Sequence, residues 1–166
     1  MTKKTSKQEF KQAVESLSIV SVVPRNIKAE MADNMPWDWQ DIRAKGAELQ
    51  FLNSPVSCEK GVTHKSNSKE SVNAYVYKHS FGVRLVEKIE KKSKEPQVLL
   101  TIEAEYNAVY ELLPDKKELS QEAVKSFGAH NVPFNLWPFW RELVHSTTQK
   151  MGVSEIMLPL NVPKKK

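Results

Sequence analysis

The sequence is poor in the residues on which most small-molecule chemistry depends. Its 166 residues include one cysteine, five glycines and four histidines. Cys58 alone closes no internal disulfide and fits a reducing compartment. With no partner motif it reads as an inert small residue near a strand end. Five glycines form neither a P-loop nor a G-x-G-x-x-G, the patterns that let backbone approach a phosphate. His64, His79, His130 and His145 fall in separate segments with no H-x-x-x-H pair, so no metal or other cofactor is expected. No apolar run approaches the roughly 18 residues of a helical membrane span. The opening MTKKTSKQEF lacks the apolar centre of a signal peptide, so a cytoplasmic location is expected. No catalytic constellation is present, and the chain is not expected to be an enzyme.

Positive charge is plentiful but confined to the ends. The net charge is +5, yet residues 1–11 carry +3 and Lys164–Lys166 another +3, leaving residues 12–163 at −1. A near-neutral body with basic ends argues against a nucleic-acid groove, because such ends are usually solvated. A scaffold or nucleic-acid-binding protein that uses the lysine ends is the rival this pattern leaves open.

What is present is alternation. The length suits one domain over 1–166. Ser6-Lys7-Gln8-Glu9 has the form of a capping box, with Phe10, Val14 and Leu17 following on one face, which predicts a helix over about 7–17. Ile19–Val23 and Ile27–Met31 read as a strand interrupted by Pro24, which belongs at an edge or a bulge. Met35-Pro36-Trp37-Asp38-Trp39 reads as an aromatic loop. Ala47, Leu49 and Phe51 mark a second strand ending before Pro55, and the polar stretch 60–70 reads as a loop.

Residues 71–90 alternate, with Tyr75, Tyr77, Phe81, Val83, Leu85 and Ile89 at odd positions and Gly82 marking a bulge or close contact. Residues 88–96 are a charged turn. Val98–Leu112 then alternate over fifteen residues, a strand about 50 Å long. Its apolar positions include Tyr106 and Tyr110; the other face carries Glu103, Glu105 and Glu111. Carboxylates in a row can hold a metal or act as acid and base, but a solvated face explains them with less. Asp115 with Glu118 is expected to cap a short helix that ends at Gly128.

The densest apolar stretch is 131–160. Asn135 is read as an N-cap, Pro138 as a first-turn proline and Gly152 as the C′ residue of the last helix. Leu136, Trp140, Leu143, Thr147 and Met151 recur at spacings of three and four, beside Trp137, Val144 and Thr148. The order helix, four antiparallel strands, helices predicts an α+β fold: a four-stranded antiparallel sheet of long strands with helices packed on one face. A long edge of that kind calls for a cover, and oligomerisation is the simplest.

Leu136-Trp137-Pro138-Phe139-Trp140-Arg141-Glu142, followed by Met151-Gly152 and Ile156-Met157-Leu158-Pro159, resembles the signature of SecB-type export chaperones. Glu103–Tyr110 resembles the last long strand of that family, and Gly128-Ala129 stands where it has a similar pair. The resemblance covers about Gln97 to Leu160, with Pro138, Arg141 and Glu142 as its motif residues. It implies an ATP-independent holdase, assembled as a homotetramer (a dimer of dimers), that binds unfolded or aggregation-prone polypeptide.

On that resemblance, client contacts are expected at Tyr106, Tyr110, Trp137, Trp140, Met157 and Leu158. A subunit interface is expected at Phe139, Leu143, Val144 and Thr147. Glu103 and Glu105 stand in place of the acidic face with which export SecB engages the SecA motor. The basic ends, the stop at Lys166 where the family continues into a second long helix, and the helix over 7–17 depart from export SecB. The helix over 7–17 is similar to the start of SecB-like chaperones encoded with toxin–antitoxin pairs, which implies an antitoxin client and a role in phage defence. General preprotein export to the Sec translocase is the alternative.

Overall fold

Regular alternation becomes sheet along the middle of the chain. A computed structural model describes residues 3–33, 35, 46–64, 71–87, 97–153 and 156–159, with side chains from Lys7 onward. Met35 is the one residue of the expected aromatic loop within that set. Trp37, Trp39, the expected turn over 88–96 and the lysine tail lie outside it, as do 65–70 of the expected polar loop.

The elements are α1 (Lys3–Ser16), β1 (Leu17–Met31), β2 (Glu48–Asn53), β3 (Ser57–His64), β4 (Ser71–Val86), β5 (Val98–Leu112) and α2 (Gln121–Lys150). The strand order is β1-β5-β4-β2, with β3 also pairing β4. The fold is therefore α+β with an antiparallel sheet of five strands. Pro24 does not divide β1. The strand stands at the end of the order, where a residue without an N–H is tolerated.

The fifth strand corrects the expected count of four, because 57–64 is β3 rather than the start of a loop. It pairs with β4 from Ser57↔Lys78 to His64↔Ser71. Its polarity hid it, and cross-strand contacts hold it instead of burial. The Lys60 ammonium lies 6.0 Å from the centre of the Tyr75 ring and bonds Glu118 at 2.9 Å, while Lys78 bonds Glu59 at 3.1 Å. β2 takes the other stretch of β4, from Glu48↔Val86 to Asn53↔Phe81. That register is continuous past Gly82, so Gly82 marks a close approach and not a bulge. A Cβ there would stand 3.1 Å from Leu52 Cβ and 3.4 Å from Glu103 Cγ.

The largest correction concerns the helices after β5. Residues 121–150 form one helix, where the sequence predicts two separated at Gly128. Asp115 (φ 61°) occupies the turn after β5 and does not begin the helix. Ser120 caps it, its hydroxyl accepting the Ala123 N–H at 3.1 Å and its carbonyl the Val124 N–H at 3.0 Å. Asn135 and Pro138 consequently lie in its interior. Pro133 and Pro138 each remove an N–H, at a local cost of ~3 kcal/mol in a helix interior.

Packing outweighs that cost. Ala123, Phe127, Val132, Leu136, Trp140, Val144 and Thr148 are all 1% exposed or less, and they follow mainly an i, i+4 ridge. Leu143, Thr147 and Met151 lie beside this ridge, half-buried. Gly152 ends α2 as expected. At φ 69° it donates to the Gln149 carbonyl at 3.1 Å, and Val153 donates to the Thr148 carbonyl at 2.9 Å, a Schellman pattern.

Helix α1 begins at Lys3, so Ser6 is inside it and not its cap. Ala13, Ser16 and Leu17 face inward, whereas Val14 of the expected face is exposed.

The described contacts gather in two compact units. The first comprises Met1–Arg25, Ser54–His79 and Glu105–Trp137; the second comprises Asn26–Asn53, Ser80–Ala104 and Pro138–Lys166. The first has an aromatic centre, with Tyr77 edge-on to Tyr110 at 5.6 Å, Tyr110 edge-on to Phe127 at 5.0 Å and Tyr77 tilted against Phe127 at 5.7 Å. The second is organised on Phe81 stacked on Trp140, at 5.7 Å and 14°, with Val83, Leu85, Leu100, Ile102 and Val144 in its core.

Gly128 lets α2 approach the sheet in the first unit. A Cβ there would lie 3.1 and 3.3 Å from Tyr77 Cε1 and Cδ1. Gly128→Val is expected to destabilise the protein by ~1–3 kcal/mol through overpacking, measurable as a lower urea midpoint with an unchanged slope.

Candidate functional site

Burial divides the residues expected to make contacts. In the first unit, Tyr106 and Tyr110 point into the core. Tyr110 hydroxyl accepts a bond from Asn135 Nδ2 at 2.9 Å. The residue expected to cap a helix thus instead satisfies a buried phenol. Burial raises the Tyr110 pKa, and the Asn135 bond opposes that rise. Tyr77 hydroxyl donates to the Val124 carbonyl at 3.3 Å, and its pKa too is raised, chiefly by burial. Trp137 is half-buried.

In the second unit, Trp140 and Val144 are core residues. Tyr106, Tyr110, Trp140 and Val144 therefore present no free surface from this chain. Within this chain their apolar area is already spent on folding. Phe139 is exposed, Leu143 and Thr147 are half-buried, and Pro138 and Glu142 are exposed. Arg141 Nε donates to the Leu158 carbonyl at 3.2 Å. Leu158 is buried, while its neighbour Met157 is the most exposed large apolar residue described, at 68%. The structure thus leaves Phe139 and Met157 as the outward apolar residues of the expected set, with Trp137 half-available.

Glu103 and Glu105 are exposed on β5, opposite in parity to the buried residues from Leu100 to Leu112. Among the described residues, no group of three or more His, Cys, Asp or Glu is placed to hold a metal ion. No described helix is long and apolar enough to cross a membrane.

Apolar surface also appears where the sequence reading did not place a site. Ile19, Val20, Val23, Ile27 and Met31 on β1 are exposed, as are Leu49, Phe51 and Leu52 on β2 and Val62 on β3. Ile19, Val23, Ile27 and Met31 share one parity on β1. Leu49 and Phe51 pair with the buried Leu85 and Val83, so their side of β2 continues an apolar face of the sheet. The available signal was the run Ile19–Val23, which places apolar residues on both parities of a strand with a proline. Strands buried on one side do not need that.

Two titratable groups are shifted by burial. The Cys58 thiol is pushed up to about 11, so it remains protonated near neutral pH, in keeping with an inert cysteine. His79, inside β4, is held down to about 4 from 6.5 and is neutral in the fold. The unfolded chain therefore binds the extra proton between those values. The stabilising effect is complete above pH 6.5, declines as pH falls and is lost below about 4. The full span corresponds to about 3 kcal/mol. His79→Phe is expected to flatten unfolding free energy against pH between 4 and 6.5, as read from urea titrations.

Neither a family model nor a curated protein sequence matches the chain. A search of solved structures returns the SecB-like chaperone Rv1957 of Mycobacterium tuberculosis in complex with a ChAD peptide from the HigA1 antitoxin Rv1956. The match has a TM-score of 0.65 and 16% identity, and covers 95% of this chain and 99% of that one. A protein of unknown function from Streptococcus agalactiae aligns with a TM-score of 0.35 and 10% identity over 86% of this chain and 96% of that one; this is too low to support an argument. The chain has the SecB-like fold.

Proposed function

We propose that this chain is an ATP-independent holdase that binds an unfolded or aggregation-prone polypeptide, and that its client is an antitoxin within a toxin–antitoxin–chaperone system. The observation that carries the reading is the likeness over nearly the whole chain to a SecB-like chaperone seen with an antitoxin peptide. The exposed apolar residues of β1 and β2, with Phe139 and Met157, are surface of the kind that holds non-native chains. Binding to the unfolded client shifts its folding and aggregation equilibria by mass action, without nucleotide chemistry. The same apolar edges suit assembly into a tetramer, which would sediment near four times 19.0 kDa.

An antitoxin client is favoured over general export by charge. Residues 12–163 sum to −1, which gives little of the acidic field with which export SecB engages its motor protein. The test is co-expression with an aggregation-prone antitoxin, taken from the genes beside this one where they encode a toxin–antitoxin pair. The antitoxin is expected in the soluble fraction only when this chain is present, with a secreted precursor not rescued. Equal rescue of the precursor would favour export, and rescue of neither would remove the proposal.

A further inference from the structure

The lysine-rich start of the chain is not a loose end. It is built into α1, whose opening residues include Lys3, Lys4 and Lys7 and whose first turn holds no acidic residue. The N-terminus of a helix carries the positive end of the backbone dipole, so cations there are set against their own helix. A local arrangement that works against stability points to a use elsewhere. Lys11 follows Lys7 by four residues, and so lies on the same side of α1 one turn on.

Near its end α1 meets the connection between β5 and α2. The Leu113 N–H donates to the Ser16 carbonyl at 2.9 Å, and Asp115 turns the chain at its φ of 61°. The turn is thereby pinned against α1, and a cleft of about 490 Å³ opens between them within the first unit. Lys11, Lys116 and Lys117 line it and are exposed, with Glu15 and Asp115 as its carboxylates and the amides of Gln8 and Gln12 on the α1 side. Glu118, the next carboxylate, is drawn off to Lys60 at 2.9 Å. Lys11 and Glu15 meet at 3.6 Å, but both are exposed and the pair runs from Lys to Glu along the helix, the weaker direction. Among the described residues, Lys116 and Lys117 enter no ion pair.

We propose that this cleft binds an extended acidic segment of a partner polypeptide, whose carboxylates are met by Lys11, Lys116 and Lys117. Gln8 and Gln12 serve the backbone of that segment, because a side-chain amide both donates and accepts, as a peptide group requires. An arriving carboxylate takes the place of Glu15 on Lys11 at little cost, since an exposed pair holds weakly. Lys7 extends the positive field along α1 beyond the cleft. Nucleic acid fits less well. Its phosphates follow without gaps, about one charge per 1.7 Å of duplex axis, whereas Glu15 and Asp115 interrupt the positive row. A peptide with acidic residues at intervals meets the lysines and passes the two carboxylates. The cleft needs neither a non-native partner nor apolar surface, and so stands apart from the holdase reading.

The test uses a fluorescein-labelled peptide, EEGEEGEE, titrated by anisotropy against the full-length protein at about 50 mM salt, where screening is weak. Saturable binding that weakens as salt rises is expected from the wild type. Lys116→Glu/Lys117→Glu is expected to bind about tenfold more weakly or worse. Lys164→Glu/Lys165→Glu, the same change of charge in the lysine tail, is expected to bind like the wild type. No binding by the wild type, or an equal loss in both variants, overturns the proposal. So does a single-stranded oligonucleotide that binds more tightly than the peptide and depends on Lys116 and Lys117, because the cleft is then a phosphate site. A changed oligomeric state in Lys116→Glu/Lys117→Glu overturns it too, because the cleft is then a contact between copies. Should that variant lose the wild-type urea midpoint, the amide shifts of the wild type on adding peptide decide. Shifts at Gln8, Gln12, Lys116 and Lys117 are expected; shifts confined to other residues contradict the proposal. A protein that binds the peptide here but fails to hold an aggregating client removes the holdase reading alone.

Discussion

Trp140→Ala is expected to lower stability by ~3–5 kcal/mol, the range for truncating a large buried aromatic residue. Trp140 is 1% exposed and lies flat against Phe81. Truncation therefore removes apolar burial, the stacking contact and the filling of the space between α2 and β4 in the second unit. That space cannot readily collapse. The Phe81 ring is itself fully buried, and Leu136 and Val144, the neighbours of Trp140 on the ridge, are already packed. Urea unfolding followed by far-ultraviolet circular dichroism measures the change as a shift in midpoint at constant slope. Trp140→Phe keeps a ring against Phe81 and is expected to recover more than half of the loss. A Trp140→Ala protein with wild-type stability would mean that this ridge of α2 does not pack on the sheet.

Phe127→Ala is the corresponding change in the first unit, again expected to cost ~3–5 kcal/mol. Phe127 meets the edge of Tyr110 at 5.0 Å and lies tilted on Tyr77 at 5.7 Å. Its removal leaves the Tyr110 hydroxyl bonded to Asn135 and that of Tyr77 to Val124. The effect thus isolates apolar packing from buried polar satisfaction. Phe127→Leu, which refills most of the volume, is expected to cost ~1–2 kcal/mol because the edge-to-face contacts are lost. A larger loss for Asn135→Ala than for Phe127→Ala would reverse this ranking and make the polar contact the principal support of the cluster.

The strands were legible where one face is buried and the other wet. β5 appears in the sequence with its boundaries almost intact, and the odd positions of β4 from Tyr75 to Leu85 do point inward. Gly152 was legible too, since a glycine after a helical period has few other uses. β3 was not, because Lys60, Gly61 and His64 give it the composition of a loop, and pairing distant in sequence, from Ser57↔Lys78 to His64↔Ser71, makes it a strand.

The continuity of α2 was hidden for the opposite reason. Gly128, Pro133 and Pro138 are strong local stop signals, and a ridge of buried side chains on both sides of them overrides all three. That override also bears on the expected site. Taking Asn135 as a cap placed the helix start at its middle, and Trp140 and Val144, expected at contacts, are buried within this chain. The apolar surface of β1 and β2 was missed because periodicity shows which residues share a face, but not whether a helix covers it.

The central claim is that this chain holds an aggregation-prone polypeptide without nucleotide. Light scattering of an aggregation-prone antitoxin, diluted from denaturant with and without this chain and with no ATP present, tests it most directly. Suppression of aggregation that saturates at a fixed ratio of chain to client, and that is unchanged by added ATP, is the predicted result. Aggregation at the same rate and to the same extent in the presence of excess chain would contradict it.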